Sequence, residues 1–221
     1  MIFVNEIFEA IQGEGPTIGM PVIFLRLSGC NLTCSWCDSK YTWHNDYLEK
    51  STKYTNTQLV TALSKYKSRR IVITGGEPML QARQFGDLFK LLYPPFTVEF
   101  ETNGTIYNEI LEHSMVASIN CSPKLKSSGV SESRYNYPVL KKINDLKTSC
   151  FKFVAKDIND INEIHNQFHF IEREKIYLMP EGQTRAEVIK SSRWVIKQCI
   201  KNRWKLSPRA HILLYSNKRG V

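Results

Sequence analysis

Long apolar runs are missing from this sequence, and nothing in it approaches the ~18 consecutive apolar residues of a membrane span. The first residues, MIFVNEIFEAIQGEG, carry Glu6, Glu9 and Glu14 and contain no apolar run of signal-peptide length. The cytoplasm is the expected location, with no membrane partner. Internal repeats, low-complexity tracts and Pro/Ser-rich linkers are also missing, so nothing divides the 221 residues. One domain over residues 1–221 is expected, since typical domains run to about 100–200 residues. Acidic residues are outnumbered, 21 against 30 basic ones, which leaves a formal net charge of +9. Such a charge invites a nucleic-acid reading. The basic residues are nevertheless scattered through Lys65–Arg70, Lys124–Lys126, Lys141–Lys147 and Lys197–Lys205, with no paired aromatic RNA-reading motif among them. They read as a solvated surface that makes no direct nucleic-acid contact and can attract an acidic protein.

What is present is an ordinary globular composition, 42% hydrophobic and 23% charged, so a buried core is expected. Short β-branched or aromatic segments at Val22–Leu27, Ile71–Thr74, Thr97–Glu101, Val116–Asn120, Cys150–Val154, Lys175–Met179 and His211–Tyr215 are strand candidates. Thr57–Tyr66, Gln84–Leu92, Asp157–Phe168 and Thr184–Lys201 have helical spacing, the last opening on a Thr-Arg-Ala-Glu capping box. This alternation predicts an α/β fold with a parallel sheet and right-handed crossovers. Ligands then collect at the carboxyl ends of the strands. Special-backbone or polar residues stand at those ends: Ser28-Gly29-Cys30, Gly75-Gly76-Glu77-Pro78, Thr102-Asn103-Gly104, Cys121-Ser122-Pro123-Lys124 and Pro180-Glu181-Gly182.

Cysteine is sparse, six residues, and half of it is concentrated in one loop. Cys30, Cys34 and Cys37 form C-x₃-C-x₂-C, while Cys121, Cys150 and Cys199 stand alone and read as buried small hydrophobes. In a cytosolic chain, clustered cysteines are metal ligands more often than disulfides. A closed structural zinc site needs four ligands, for which His44 would be the remaining candidate. Iron–sulfur runs normally supply four cysteines to a [4Fe-4S] cluster, so three leave one iron open for chemistry.

The run GCNLTCSWCD resembles the radical SAM (S-adenosylmethionine) superfamily. The resemblance implies a partial parallel (β/α) barrel, a [4Fe-4S] cluster on Cys30, Cys34 and Cys37, and SAM as cofactor. It places Trp36 near the SAM adenine, with Cys37 and Asp38 among the cofactor contacts. Gly75-Gly76-Glu77-Pro78 resembles the family's glycine-rich motif, which assigns Gly76 and Glu77 to the SAM amino group. Ser122, Pro123 and Lys124 resemble its polar cluster after the fourth strand, and Met179, Pro180, Glu181 and Gly182 complete the expected cofactor-binding set.

Within that superfamily, residues Glu6–Gly15, Gly19-Met20-Pro21 and Phe24–Leu32, followed by TGGEP, ETNGT, SPK and the tail Tyr215–Val221, are similar to the 7-carboxy-7-deazaguanine synthase family. The resemblance implies a radical ring contraction of 6-carboxy-5,6,7,8-tetrahydropterin that expels ammonia. It also implies Mg²⁺ near the substrate, at a position where the family has Thr and this chain has Ser39, an oxygen ligand of the same type. A flavodoxin or ferredoxin reductant and a homodimer are further expectations. The pterin's pyrimidine edge is assigned to Ile11, Gln12, Gly13 and Glu14, its carboxylate to the Arg26 fork, and further contacts to Thr74 and the Val221 carboxylate. Two rivals are kept: a glycyl-radical activating enzyme, and a zinc-stabilised basic nucleic-acid-binding module.

Overall fold

The computed structural model describes residues 1–92, 94–131, 134–216 and 218–221. The strands are β1 (Ile2–Ile11), β2 (Pro21–Leu27), β3 (Thr52–Tyr54), β4 (Arg70–Gly75), β5 (Thr97–Thr102), β6 (Val116–Cys121), β7 (Ser149–Ala155), β8 (Ile176–Pro180) and β9 (Lys205–Leu206). The helices are α1 (Asn56–Leu63), α2 (Phe85–Leu92), α3 (Tyr137–Asp145), α4 (Ile158–Gln167), α5 (Arg185–Asn202) and α6 (Ala210–Tyr215). Among the described residues the strands make one sheet in the order β3-β1-β2-β4-β5-β6-β7-β8-β9. From β2 onward every neighbour is parallel, while β1 runs antiparallel to both β2 and β3.

The parallel strands follow one another in chain order with no reversal. Right-handed crossovers in such a series put the helices on one face, and the twist of the sheet curls the other face inward. The result is an open, partial (β/α) barrel. Its outer face is apolar: Ile23, Leu25, Leu27, Ile71, Ile73, Val98, Phe100, Phe151 and Phe153 join the main core beneath the helices. Phe100 packs against Phe85 and Phe89 of α2, with ring centroids 5.6 and 6.2 Å apart.

The inward positions alternate with these. Val22, Phe24 and Val72 form a small separate apolar cluster with Phe8 and Ala10. At the carboxyl ends the same face turns polar, with Arg26, Thr74, Glu101, Asn120 and Lys152 lining a common cavity. Parallel strands covered on both faces normally read as apolar throughout. Charges inside one need partners or a ligand.

The helix starts follow their caps. Thr184 accepts from the Glu187 N–H, while the Glu187 carboxylate takes the N–H of Thr184 at 3.0 Å, so the expected capping box opens α5. Asp157 does the same for α4, and Thr55 for α1. Cys121, Cys150 and Cys199 are buried, at 0%, 6% and 6% exposure, and burial raises all three thiols above their usual pKa range.

Five elements differ from the sequence pattern, among them the short β3 and β9, which have no expected counterpart. His211–Tyr215, expected as a strand, lies in α6, because the chain leaves the sheet after β9 and packs against the β1–β2 connection. β1 has no expected counterpart: a bulge between Val4 and Glu6 shifts its register and breaks the period-two signal. α3 buries only Leu140 and Ile143, too few apolar positions for a legible stripe. Among the described residues no helix is long and apolar enough to cross a membrane.

Candidate active site

The loop after β2 carries the three cysteines into a cavity of roughly 240 Å³ at the carboxyl end of the sheet, and all three line it. Leu32, Cys34 and Val130 pack together, with Cys30 and Cys37 against them. The Leu32 N–H approaches Cys30 Sγ at 3.5 Å and Trp43 Nε1 approaches Cys37 Sγ at 3.4 Å. Donors aimed at sulfur favour the thiolate, the form that binds metal. Burial pushes the Cys30 thiol up to about 11 and raises Cys34 as well. Iron would displace those protons, since a coordinating thiol is deprotonated outright. Three soft donors on one loop, facing one cavity, fit a cluster with an open iron. Among the described residues no three His, Cys, Asp or Glu side chains converge on the centre of a single metal ion.

The glycine-rich turn after β4 lies against this loop. A Cβ on Gly76 would sit 1.9 Å from the Gly29 carbonyl oxygen, so only glycine lets the two segments meet. Gly75 and Gly76 line the cavity. Glu77 does not. Its carboxylate is 0% exposed and is taken up by the N–H of Met79 at 2.9 Å, the N–H of Asn103 at 2.6 Å and the Thr102 hydroxyl at 2.7 Å. Burial raises its pKa. The carboxylate thus braces the β4 and β5 turns, and the turn presents Gly75 and Gly76 to the cavity.

Of the other expected cofactor contacts, Trp36, Asp38, Ser122, Lys124 and Met179 line the cavity. Lys124 Nζ donates to Ser122 Oγ at 2.9 Å and stands over the Trp36 ring, 5.7 Å from its centroid. Pro123, Pro180, Glu181 and Gly182 are not among the lining residues. Ser39 lines it too, with Oγ 3.7 Å from Cys37 Sγ.

The rest of the lining comes from the β1–β2 connection, the strands β2 and β4 to β7, and the carboxy-terminal tail. Ile11, Gln12, Gly13, Glu14, Arg26, Thr74 and Val221 all line the cavity. Within the described tail, Lys218, Arg219 and Gly220 line it as well, whereas Asn217 lies outside the described residues. The Gln12 side chain is committed to protein: Nε2 donates to Glu99 at 3.0 Å and Glu101 at 3.1 Å, and Oε1 accepts from the Glu14 N–H at 3.1 Å. Gln12 thus shapes the wall and orders Glu14. Thr74 Oγ1 donates to Glu101 Oε2 at 2.7 Å.

Glu14 is ion-paired with Lys152 and, at 3.3 Å, with Arg209. Burial opposes its charge, but the Lys152 ammonium and then Arg209 override that and hold the carboxyl below its usual range. Lys152 is raised in turn, since the field of Glu14 outweighs its burial. Burial lowers the pKa of His211.

Glu101, Asn120, Lys152, Arg209 and His211 escaped the sequence reading. Lys152 and Glu101 did leave a signal, a charged residue alternating with apolar ones inside a strand pattern. For Arg209 and His211 the sequence held none.

An open (β/α) barrel with three thiols and a glycine turn facing one charged cavity defines a radical SAM enzyme with an iron–sulfur cluster. The family model described as "4Fe-4S single cluster domain" matches residues 11–127. A 7-carboxy-7-deazaguanine synthase of Aquifex aeolicus strain VF5 is 32% identical over 203 residues, 90% of this chain and 88% of that protein. One from Buchnera aphidicola subsp. Schizaphis graminum is 35% identical over 231 residues, 94% of this chain and 95% of the other. The crystal structure of QueE from Escherichia coli superposes with a TM-score of 0.69 at 27% identity, covering 95% of this chain and 94% of that one. The chain belongs to the 7-carboxy-7-deazaguanine synthase family.

Proposed function

We propose that this cavity is where the chain contracts 6-carboxy-5,6,7,8-tetrahydropterin to 7-carboxy-7-deazaguanine with release of ammonia, a step of queuosine and 7-deazapurine biosynthesis. One observation carries the reading: a single cavity is lined both by Cys30, Cys34, Cys37 and Gly76 and by Glu14, Arg26 and Glu101. A redox centre and a site for a polar, anionic heterocycle are thereby in contact. When bound, the cluster supplies an electron and SAM a carbon-centred radical.

The protein's own residues bind and orient. Cys30, Cys34 and Cys37 hold the cluster. Backbone of the Gly75-Gly76 turn, the Trp36 ring, Ser122 and Lys124 would hold SAM, the Lys124 ammonium being a cation suited to its carboxylate. The Glu14 carboxylate accepts from the amino-pyrimidine edge of the pterin. Arg26 spends only Nε on Glu6, so its Nη groups are the donors for the substrate carboxylate. The Ser39 hydroxyl would offer one oxygen to Mg²⁺, a hard cation that takes oxygen ligands. The tail brings Val221 to the same space. Holding both ligands in one enclosed cavity excludes water and competing hydrogen donors.

The electron donor is an acidic flavodoxin or ferredoxin, attracted to a chain of net charge +9. A homodimer in the cytoplasm without nucleic-acid contact completes the reading and rests on the family likeness and on the scatter of the basic residues. Anaerobic turnover with the carboxytetrahydropterin, SAM and a low-potential reductant, followed by mass analysis, tests it. The expected product is lighter by ammonia. Cleavage of SAM without any change in the pterin would overturn it.

A further inference from the structure

Three separate segments meet on one buried side chain, Arg209, which is 5% exposed. Its Nε donates to Glu14 Oε1 at 3.3 Å, Nη1 to the Gly182 carbonyl oxygen and Nη2 to Asp38 Oδ2. Glu14 lies in the β1–β2 connection, Asp38 directly follows Cys37, and Gly182 is in the loop between β8 and α5. A planar guanidinium offers five donors in a fixed fork, so it can serve three acceptors from different directions at once. The charges balance as well, with the Glu14 and Asp38 carboxylates set against Arg209 and Lys152.

The backbone reinforces this meeting point. The Ala210 N–H donates to the Gly13 carbonyl at 3.0 Å, and the Gly15 N–H to Ser207 Oγ at 2.8 Å. The His211 ring occupies the space of a Gly13 side chain, its Nδ1 2.5 Å from where a Cβ would be. β9 is the last strand of the open sheet, so these bonds join the segment after it to the connection leaving β1.

We propose that Arg209 is a positioning residue: by clasping Glu14 and Asp38 together it fixes the substrate-facing loop relative to the cluster loop. The proposal rests on the reading of Glu14 as a pterin contact. Its reach is the reacting pair, because a shift of about 1 Å between bound partners is enough to slow a positioned reaction by two orders of magnitude.

The test uses the anaerobically reconstituted full chain and two readouts, the dissociation constant of the carboxytetrahydropterin and the EPR spectrum of the reduced cluster with SAM bound. R209Q should weaken pterin binding about 10-fold or more, as loss of a charge-assisted bond does, with R209K between it and the parent. In an E14Q background R209Q should add less than about 3-fold, because the two act through one contact. The EPR spectrum should change in R209Q and not in S207A, which cuts a bond between the same segments without touching Glu14 or Asp38. Parent-like pterin affinity in R209Q, fully additive losses in the double variant, or an EPR change shared by S207A would each overturn the proposal. Should R209Q fail to fold, R209K with parent-like affinity and spectrum would do the same. If E14Q binds pterin normally, the substrate reading of Glu14 falls by itself, and the EPR comparison alone then decides the link to the cluster loop.

Discussion

Glu6 and Arg26 are cross-strand partners: they face each other in the antiparallel register of β1 and β2, and Arg26 Nε donates to Glu6 Oε1 at 2.8 Å. The Tyr41 hydroxyl donates to the same oxygen at 2.9 Å, and Arg219 Nη2 reaches Glu6 Oε2 at 3.3 Å. Glu6 therefore fixes one edge of the guanidinium and ties the carboxy-terminal tail to the cavity mouth. An arginine flanked by apolar neighbours on β2 is thus held by a structural carboxylate and still lines the cavity.

Arg26→Lys should raise the KM for the pterin about 10- to 100-fold, since a lysine held by Glu6 has no second edge for a bidentate contact. Glu6→Gln should act less, because the guanidinium remains. Anaerobic steady-state kinetics measure both. An unchanged KM in Arg26→Lys removes the assignment of the substrate carboxylate to this residue.

Replacing Cys30, Cys34 or Cys37 by Ala should abolish stable cluster binding, because two thiolates would not hold the cluster in place of three. Iron and sulfide analysis with the visible spectrum gives the answer. Cys121→Ser, Cys150→Ser and Cys199→Ser should keep full iron content, since these thiols are buried and lie off the cavity. A variant of this second group without iron would show that the ligand set has been misassigned.

Glu14→Gln should destabilise the protein by about 3–5 kcal/mol at pH 7, because Lys152 and Arg209 lose their buried counter-charge. The native carboxyl is held below its unfolded value, so its contribution is present above about pH 4.3 and is lost as pH falls through the native value. Denaturant unfolding of parent and variant should then converge on acidification below about pH 5. A gap that widens towards low pH would contradict the pairing.

The cysteine spacing, the glycine turn and the order of strands and helices were legible because each depends on neighbours in the chain. C-x₃-C-x₂-C has to sit in one loop whatever surrounds it, and the caps at Thr184 and Asp157 act within a single turn. Arg26 was legible by alternation alone, as an ionisable residue between two core leucines.

Gln12 and Glu77 looked free in the sequence because their partners, Glu99, Glu101, Thr102 and Asn103, are distant in the chain. Arg209 could not be read for the same reason: 195 residues separate it from Glu14 and 171 from Asp38. The sequence by itself determined the chemistry this protein carries, the thiols, the glycines and the α/β winding, through patterns of short range. Only the tertiary structure decided which charged groups satisfy one another and which face the cavity, since curling the sheet brings side chains into contact that no local periodicity links.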